Sequence, residues 1–147
     1  IELEKKGINS SQDSGELYEL ASVQLRKRLF PQATETLKKA LRQLNEEPTE
    51  AKAIIENALG FSLAAQNDFK RAVSHYKNAI QAKSNYPVAL NNLAFAKKRL
   101  METDEAYDLY QEVIKLDPTN KTALREFEKL KKTKGANLQN IQKSKGF

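Results

Sequence analysis

Two five-residue stretches, NALGF at 57–61 and NNLAF at 91–95, stand 34 residues apart and share an Asn, a Leu and a Phe in register. A period of that length constrains a chain more than its composition does. Each unit is one supersecondary element that must stack on its neighbours to bury its apolar face. Units beginning at Ala53 and at Pro87 align without a gap: Leu59 with Leu93, Gly60 with Ala94, Ala72 with Ala106, Tyr76 with Tyr110, Ala79 with Val113, Ile80 with Ile114. Small residues at the eighth, twentieth and twenty-seventh places let two antiparallel helices approach closely. The larger ones fill the space between neighbouring pairs.

A weaker copy precedes these two. Ala33, Leu37, Ala40 and Leu41 take the second-helix places, Leu20 and Ala21 become the seventh and eighth residues, and extra residues around 48–52 separate this unit from the next. A last half unit starts at Lys121 with Ala123, Leu124 and Phe127 on its apolar face. Glu128 stands where a close-packed pair needs a small residue, which reads as a solvated end cap. The spacing predicts helices over 16–29, 31–44, 50–66, 69–83, 87–100, 103–116 and 120–133. Asp13 with Glu16 has capping-box spacing, Asp68 and Thr103 suit N-caps, Pro31 and Pro87 suit a first helical turn, and Pro118 ends the last full repeat.

This pattern resembles the tetratricopeptide repeat (TPR). The expected fold is all-α, a TPR solenoid: a right-handed superhelix of antiparallel helix pairs with about three repeats and a C-terminal capping helix. Residues 1–13 are expected to be an N-terminal linker and 14–134 the TPR domain, with repeats at 14–47, 53–86 and 87–120 and the cap at 121–134. The stretch 135–147 has little periodicity and is expected to be a flexible basic tail.

Composition narrows the chemistry. There is no cysteine, which removes disulfides, thiolate metal sites and cysteine nucleophiles together. His75 is the single histidine, no glycine-rich phosphate loop follows a strand, and the carboxylates are scattered along polar helix faces, so no catalysis, metal or cofactor is expected. No apolar run exceeds the seven residues 59–65, far short of the roughly 20 that span a bilayer. The formal charge of +6 is uneven: residues 121–147 carry eight Lys/Arg against Glu126 and Glu128, and the rest of the chain balances.

A stack of helix pairs offers a groove lined by the first helix of each repeat, and such a groove holds a partner. If the fourth, seventh, eighth and eleventh residues face the second helix, then Asn57 and Phe61, and Asn91 and Phe95, face the groove with Ile54 and Val88. Tyr18, Ser22 and Arg26 join them from the first repeat, Asn92 lies beside the ladder, and Lys98, Arg99, Arg125, Lys129 and Lys132 make the C-terminal half basic. An Asn amide can pair with the backbone of an extended peptide whatever its side chains, and a Phe adds contact area at low entropy cost. The alternative is that Asn57 and Asn91 bond within the array and the Phe rings fill gaps between adjacent helices. The positive end favours acidic partner segments, while the terminal lysines could instead meet anionic lipid. RNA is disfavoured because no aromatic residues interleave with the tail lysines.

Some TPR proteins clamp the C-terminal carboxylate of a heat-shock chaperone with Lys, Asn and Arg side chains. Only Asn92 matches that set; Asn57, Phe61, Thr122 and Glu126 stand at the other places, so chaperone binding is not expected. A closer resemblance covers residues 16–130. ELYELASVQLRKRLFPQA, IENALGFSLAAQNDFKRAVSHYKNAI and YPVALNNLAFAKKRLMETDEAYDLYQEVIKLDPTNKTAL resemble the photosystem I assembly TPR proteins of cyanobacteria and plastids, the pale yellow-green group of plants. Ala94 in place of Gly and Ser84 in place of Pro depart from that pattern. The resemblance implies a non-enzymatic assembly or stability factor whose protein partner is a photosystem I subunit or another assembly factor. It places the TPR domain in the aqueous phase at the thylakoid membrane, with membrane association through an N-terminal segment that would precede Ile1. Photosystem II assembly or repair, or adaptor and tethering work by the basic tail, are the alternatives.

Overall fold

The structure is a computed structural model that describes residues 13–44 and 49–145. Most of the expected linker, the connection at 45–48 and the last two residues of the expected tail lie outside these. Seven helices follow one another among the described residues: α1 (Ser14–Arg26), α2 (Phe30–Gln43), α3 (Glu50–Ala65), α4 (Phe69–Ala82), α5 (Pro87–Arg99), α6 (Thr103–Leu116) and α7 (Lys121–Lys145). Each packs on the next in sequence, and α3 also touches α5, so the first helices of successive pairs form one wall. This is an all-α TPR solenoid.

Local chemistry sets most boundaries. The Asp13 carboxylate accepts from the Glu16 amide at 2.8 Å and that of Asp68 from the Arg71 amide at 3.2 Å. Pro31 and Pro87 occupy first turns. Thr49 and Asn120 are caps that the spacing did not single out: Thr49 Oγ1 accepts from the Lys52 amide and Asn120 Oδ1 from the Ala123 amide. Thr103 is not an N-cap. It is the first residue of α6, and Glu102 holds the cap position without a side-chain bond to the helix because its carboxylate is turned to Lys97.

The small residues of the period do what the spacing requires. Ala21, Ala33, Ala40, Ala72, Ala79, Ala94 and Ala106 are fully buried, and Tyr76 and Tyr110 fill the space between pairs. Burial pushes the Tyr76 phenol far up and that of Tyr110 up to about 12, so both stay neutral. Two expected core residues differ. Leu20 is 43% exposed, since among the described residues no earlier pair covers it as the first repeat covers Leu59. Leu124 is 39% exposed, and Leu130 takes its place on the buried face of α7 beside Ala123. The last helix also continues through Gly135 to Lys145, beyond the expected end at 134. The sequence there holds no proline, and one interior glycine costs only about 1 kcal/mol of helix propensity.

Candidate functional site

Phe61 and Phe95 lie at the same place in successive repeats and make the same contact. Phe61 meets the edge of Phe30 with ring centroids 6.5 Å apart, and Phe95 meets Phe69 at 6.2 Å. Each ring thus closes the joint between one second helix and the next first helix. Each is also 47% and 45% exposed respectively, so the outer half of the ring faces solvent. Between them is a cleft of about 280 Å³, lined also by Ala64, Ala65, Tyr76, Arg28 and Asn92. Arg28 stands 5.4 Å from the Phe30 ring and Arg99 4.9 Å from that of Phe69, each cation lying over an aromatic face.

The asparagines form a second line. Asn92 Nδ2 donates to Asn57 Oδ1 at 3.0 Å, tying α5 to α3, and Asn91 Nδ2 donates to Asn120 Oδ1 at 3.1 Å, tying α5 to the start of α7. All three groove asparagines therefore have partners inside the chain and are half-buried. The Asn91 Oδ1 atom is buried without one.

At the C-terminal end, Lys98, Arg125 and Lys129 converge on Glu126, at 2.9, 3.8 and 4.0 Å. Burial alone would push the Glu126 carboxyl up. The Lys98 hydrogen bond and the surrounding positive charges more than reverse this and hold it below the usual carboxylate range. Lys132 is exposed on the same helix, and Arg26 is exposed at the far end of the wall. Tyr18 is half-buried and lines a separate apolar pocket of about 150 Å³ with Ile54 and Ile55. Ser22 donates its hydroxyl to the Tyr18 carbonyl at 2.9 Å.

Two charged residues occupy places that the repeat reserves for core. Glu56, 4% exposed on α3, is held from α4 by His75 Nδ1 at 2.7 Å and Asn78 Nδ2 at 3.4 Å. Lys97, at the place of the buried Leu63, sends its ammonium out to Glu102 at 2.5 Å and Glu105 at 2.7 Å. Their hydrogen bonds raise the Lys97 pKa, and the same contact lowers that of Glu105. His75 is accordingly engaged with Glu56. Among the described residues no three His, Asp or Glu side chains are grouped to hold a metal ion, and no helix is long and apolar enough to cross a membrane.

The chain is similar to known proteins in sequence and fold. A family model described as tetratricopeptide repeat matches residues 63–127. The protein ycf37 of Cyanophora paradoxa is 34% identical over 125 residues, covering 84% of this chain and 71% of its own length. The chain belongs to the ycf37 family. A further relative of this ycf37-family chain is the chloroplastic TPR domain-containing protein PYG7 of Arabidopsis thaliana, 29% identical over 122 residues. The match covers 83% of the chain but 40% of the Arabidopsis protein, so the chain spans less than half of that relative. A solved structure, the first TPR of Spaghetti (RPAP3) bound to the HSP90 peptide SRMEEVD, superposes with a TM-score of 0.78 over 85% of this chain and 95% of the other at 19% identity. That likeness shows the fold. The ycf37-family chain is thus a TPR scaffold of the kind that engages other proteins.

Proposed function

We propose that this chain is a non-enzymatic assembly or stability factor for photosystem I that binds a protein partner at the thylakoid membrane along the wall of α1, α3, α5 and α7. The observation that carries the binding role is the pair Phe61 and Phe95. Two half-exposed rings at equivalent places flank one cleft, a geometry suited to an apolar side chain of a partner segment. Tyr18, Arg26, Asn57, Asn91, Asn92, Lys98, Arg99, Arg125 and Lys129 complete the proposed surface. Here the three asparagines set the spacing of the helices, while the cations select acidic segments. The photosystem I assignment rests on the resemblance over residues 16–130 and is supported by the chloroplastic relative.

The test is co-purification from detergent-solubilised thylakoids of the source organism, with photosystem I and photosystem II subunits probed separately. The expected result is capture of photosystem I subunits that the double variant Phe61→Ala, Phe95→Ala loses while it stays folded. Capture of photosystem II subunits alone would move the role to that complex, and capture unaffected by the double variant would remove the cleft from the binding face. The exposed cations of α7 favour one other reading, contact with anionic lipid. Salt-sensitive co-sedimentation with phosphatidylglycerol vesicles, lost on removing residues 135–147, would support it.

A further inference from the structure

The repeat places Asn57 and Asn91 at one position and Asn92 and Glu126 at another, so that 57 relates to 92 as 91 relates to 126. In the first pair the Asn92 amide donates to Asn57 Oδ1. In the second the corresponding side chain is a carboxylate, which when ionised has nothing to donate, and Asn91 Oδ1 is left buried without a partner. An Asn or Gln at 126 would supply the missing donor. Glu126 instead turns to Lys98, Arg125 and Lys129. The fold therefore replaces an amide–amide bond between repeats with the Lys98–Glu126 ion pair and leaves Asn91 Oδ1 unmatched, which keeps an anion at the basic end of the wall.

That anion is outnumbered. Three cations face one carboxylate, and two of them hold it loosely: the Arg125 and Lys129 side chains are 57% and 62% exposed and stand at 3.8 and 4.0 Å. Lys98 follows Phe95 by one helical turn, so the cluster adjoins the aromatic cleft. We infer that Lys98, Arg125 and Lys129 form the docking site for a carboxylate side chain of the partner segment, and that Glu126 occupies this site in the free chain as an internal competitor. The inference rests on the proposed binding wall and adds the chemistry of its occupant: an apolar residue for the cleft, with an acidic residue close to it in the partner sequence. Glu126 sets selectivity. A segment with no carboxylate at that place fails to displace it, and an acidic one recruits all three cations.

A fluorescein-labelled hexaglutamate peptide, titrated by anisotropy at low ionic strength, tests this. Glu126→Gln removes the competing charge and is expected to bind about ten-fold tighter than the unaltered chain, the size expected for one close like charge in a partly screened site. Glu126→Ala guards against misfolding of the first variant and is expected to give the same gain. Adding Lys98→Gln to Glu126→Gln should abolish it. Equal or weaker binding by both folded Glu126 variants would overturn the inference, as would a gain that survives Lys98→Gln, since the peptide would then sit elsewhere. The peptide carries no apolar residue for the cleft. Failure here is therefore distinct from failure of the binding wall, which is read from partner capture by the Phe61, Phe95 variant.

Discussion

Asn92 on α5 donates its amide to the Asn57 carbonyl oxygen on α3, joining the first helices of two successive repeats by one side-chain bond at 3.0 Å. Asn92→Ala removes the donor and leaves a half-buried acceptor facing a gap, which costs about 1–2 kcal/mol. Denaturant unfolding should show that loss in the midpoint with the slope unchanged. Removing both ends, Asn57→Ala with Asn92→Ala, should cost less than the sum of the single changes, because the second deletion eliminates the orphan left by the first. Strict additivity would mean that the bond carries no energy.

Gly60 on α3 faces the Tyr76 ring on α4, and a Cβ at that glycine would lie 2.6 Å from Cδ1 and Cε1 of the ring. Tyr76 is 2% exposed and has no room to retreat. Gly60→Ala is therefore expected to destabilise by about 1–3 kcal/mol through overpacking, outweighing the helix propensity it gains. At the equivalent Ala94 the methyl is already accommodated at full burial. Ala94→Gly should destabilise too, by about 1 kcal/mol from propensity and the lost methyl. Opposite substitutions at one repeat position thus share a sign, and thermal melts of the two variants check it.

The period made the core legible. Alanines at fixed places, Tyr76 and Tyr110 between pairs, and two prolines in first turns all follow from packing rules that act within one repeat. Residues that depend on position in the stack did not follow from it. Leu20 and Leu59 share a repeat place, yet Leu20 is exposed because it belongs to the first described pair. Lys97 sits where Leu63 is core, and only its two carboxylate partners across the turn make that tolerable. For the candidate site, the spacing found Phe61 and Phe95 on the wall. It did not show that Phe30 and Phe69 meet them edge-on, since these contacts run from the second helix of one repeat to the first helix of the next and the pattern within a repeat does not specify them. Nor did it show that Glu126 gathers Lys98, Arg125 and Lys129 around itself.

Arg28, Asn67 and Met101 occupy the same place in the turns within three successive repeats, and all three have positive φ, at 62°, 64° and 66°. Asn tolerates this left-handed conformation, whereas arginine and methionine pay a steric cost in it. The Met101 side chain is 82% exposed, so little packing would be lost on replacing it. Met101→Gly and Met101→Asn are expected to raise stability by about 0.5–1 kcal/mol, a shift of a few degrees in Tm. Asn67→Ala should lower it. An unchanged or lower Tm for both Met101 variants would show that the turn carries no strain.

Acid and base should weaken the solenoid through different contacts. Glu126 and Glu105 have pKa values held below the ordinary 4.5 by their lysine partners. The folded state therefore binds fewer protons than the unfolded chain in that range, and stability falls as pH drops. Their contribution is complete above the ordinary carboxylate pKa and is lost as pH falls from about 4.5 through the depressed folded values. Lys97 has the opposite sign. Its pKa is raised above 10.5, so its contribution is complete below that value and is lost as pH rises through the folded one. Denaturation midpoints measured from pH 3 to 6 should decline toward acid, and Lys98→Met should flatten part of that slope by removing the leading cause of the Glu126 depression. Lys97→Met should flatten the part due to Glu105 and remove its own share of the loss above about pH 10, while the raised pKa values of the buried Tyr76 and Tyr110 keep the rest of that loss. If Lys98→Met leaves the acid slope unaltered, the cluster around Glu126 does not contribute to folding.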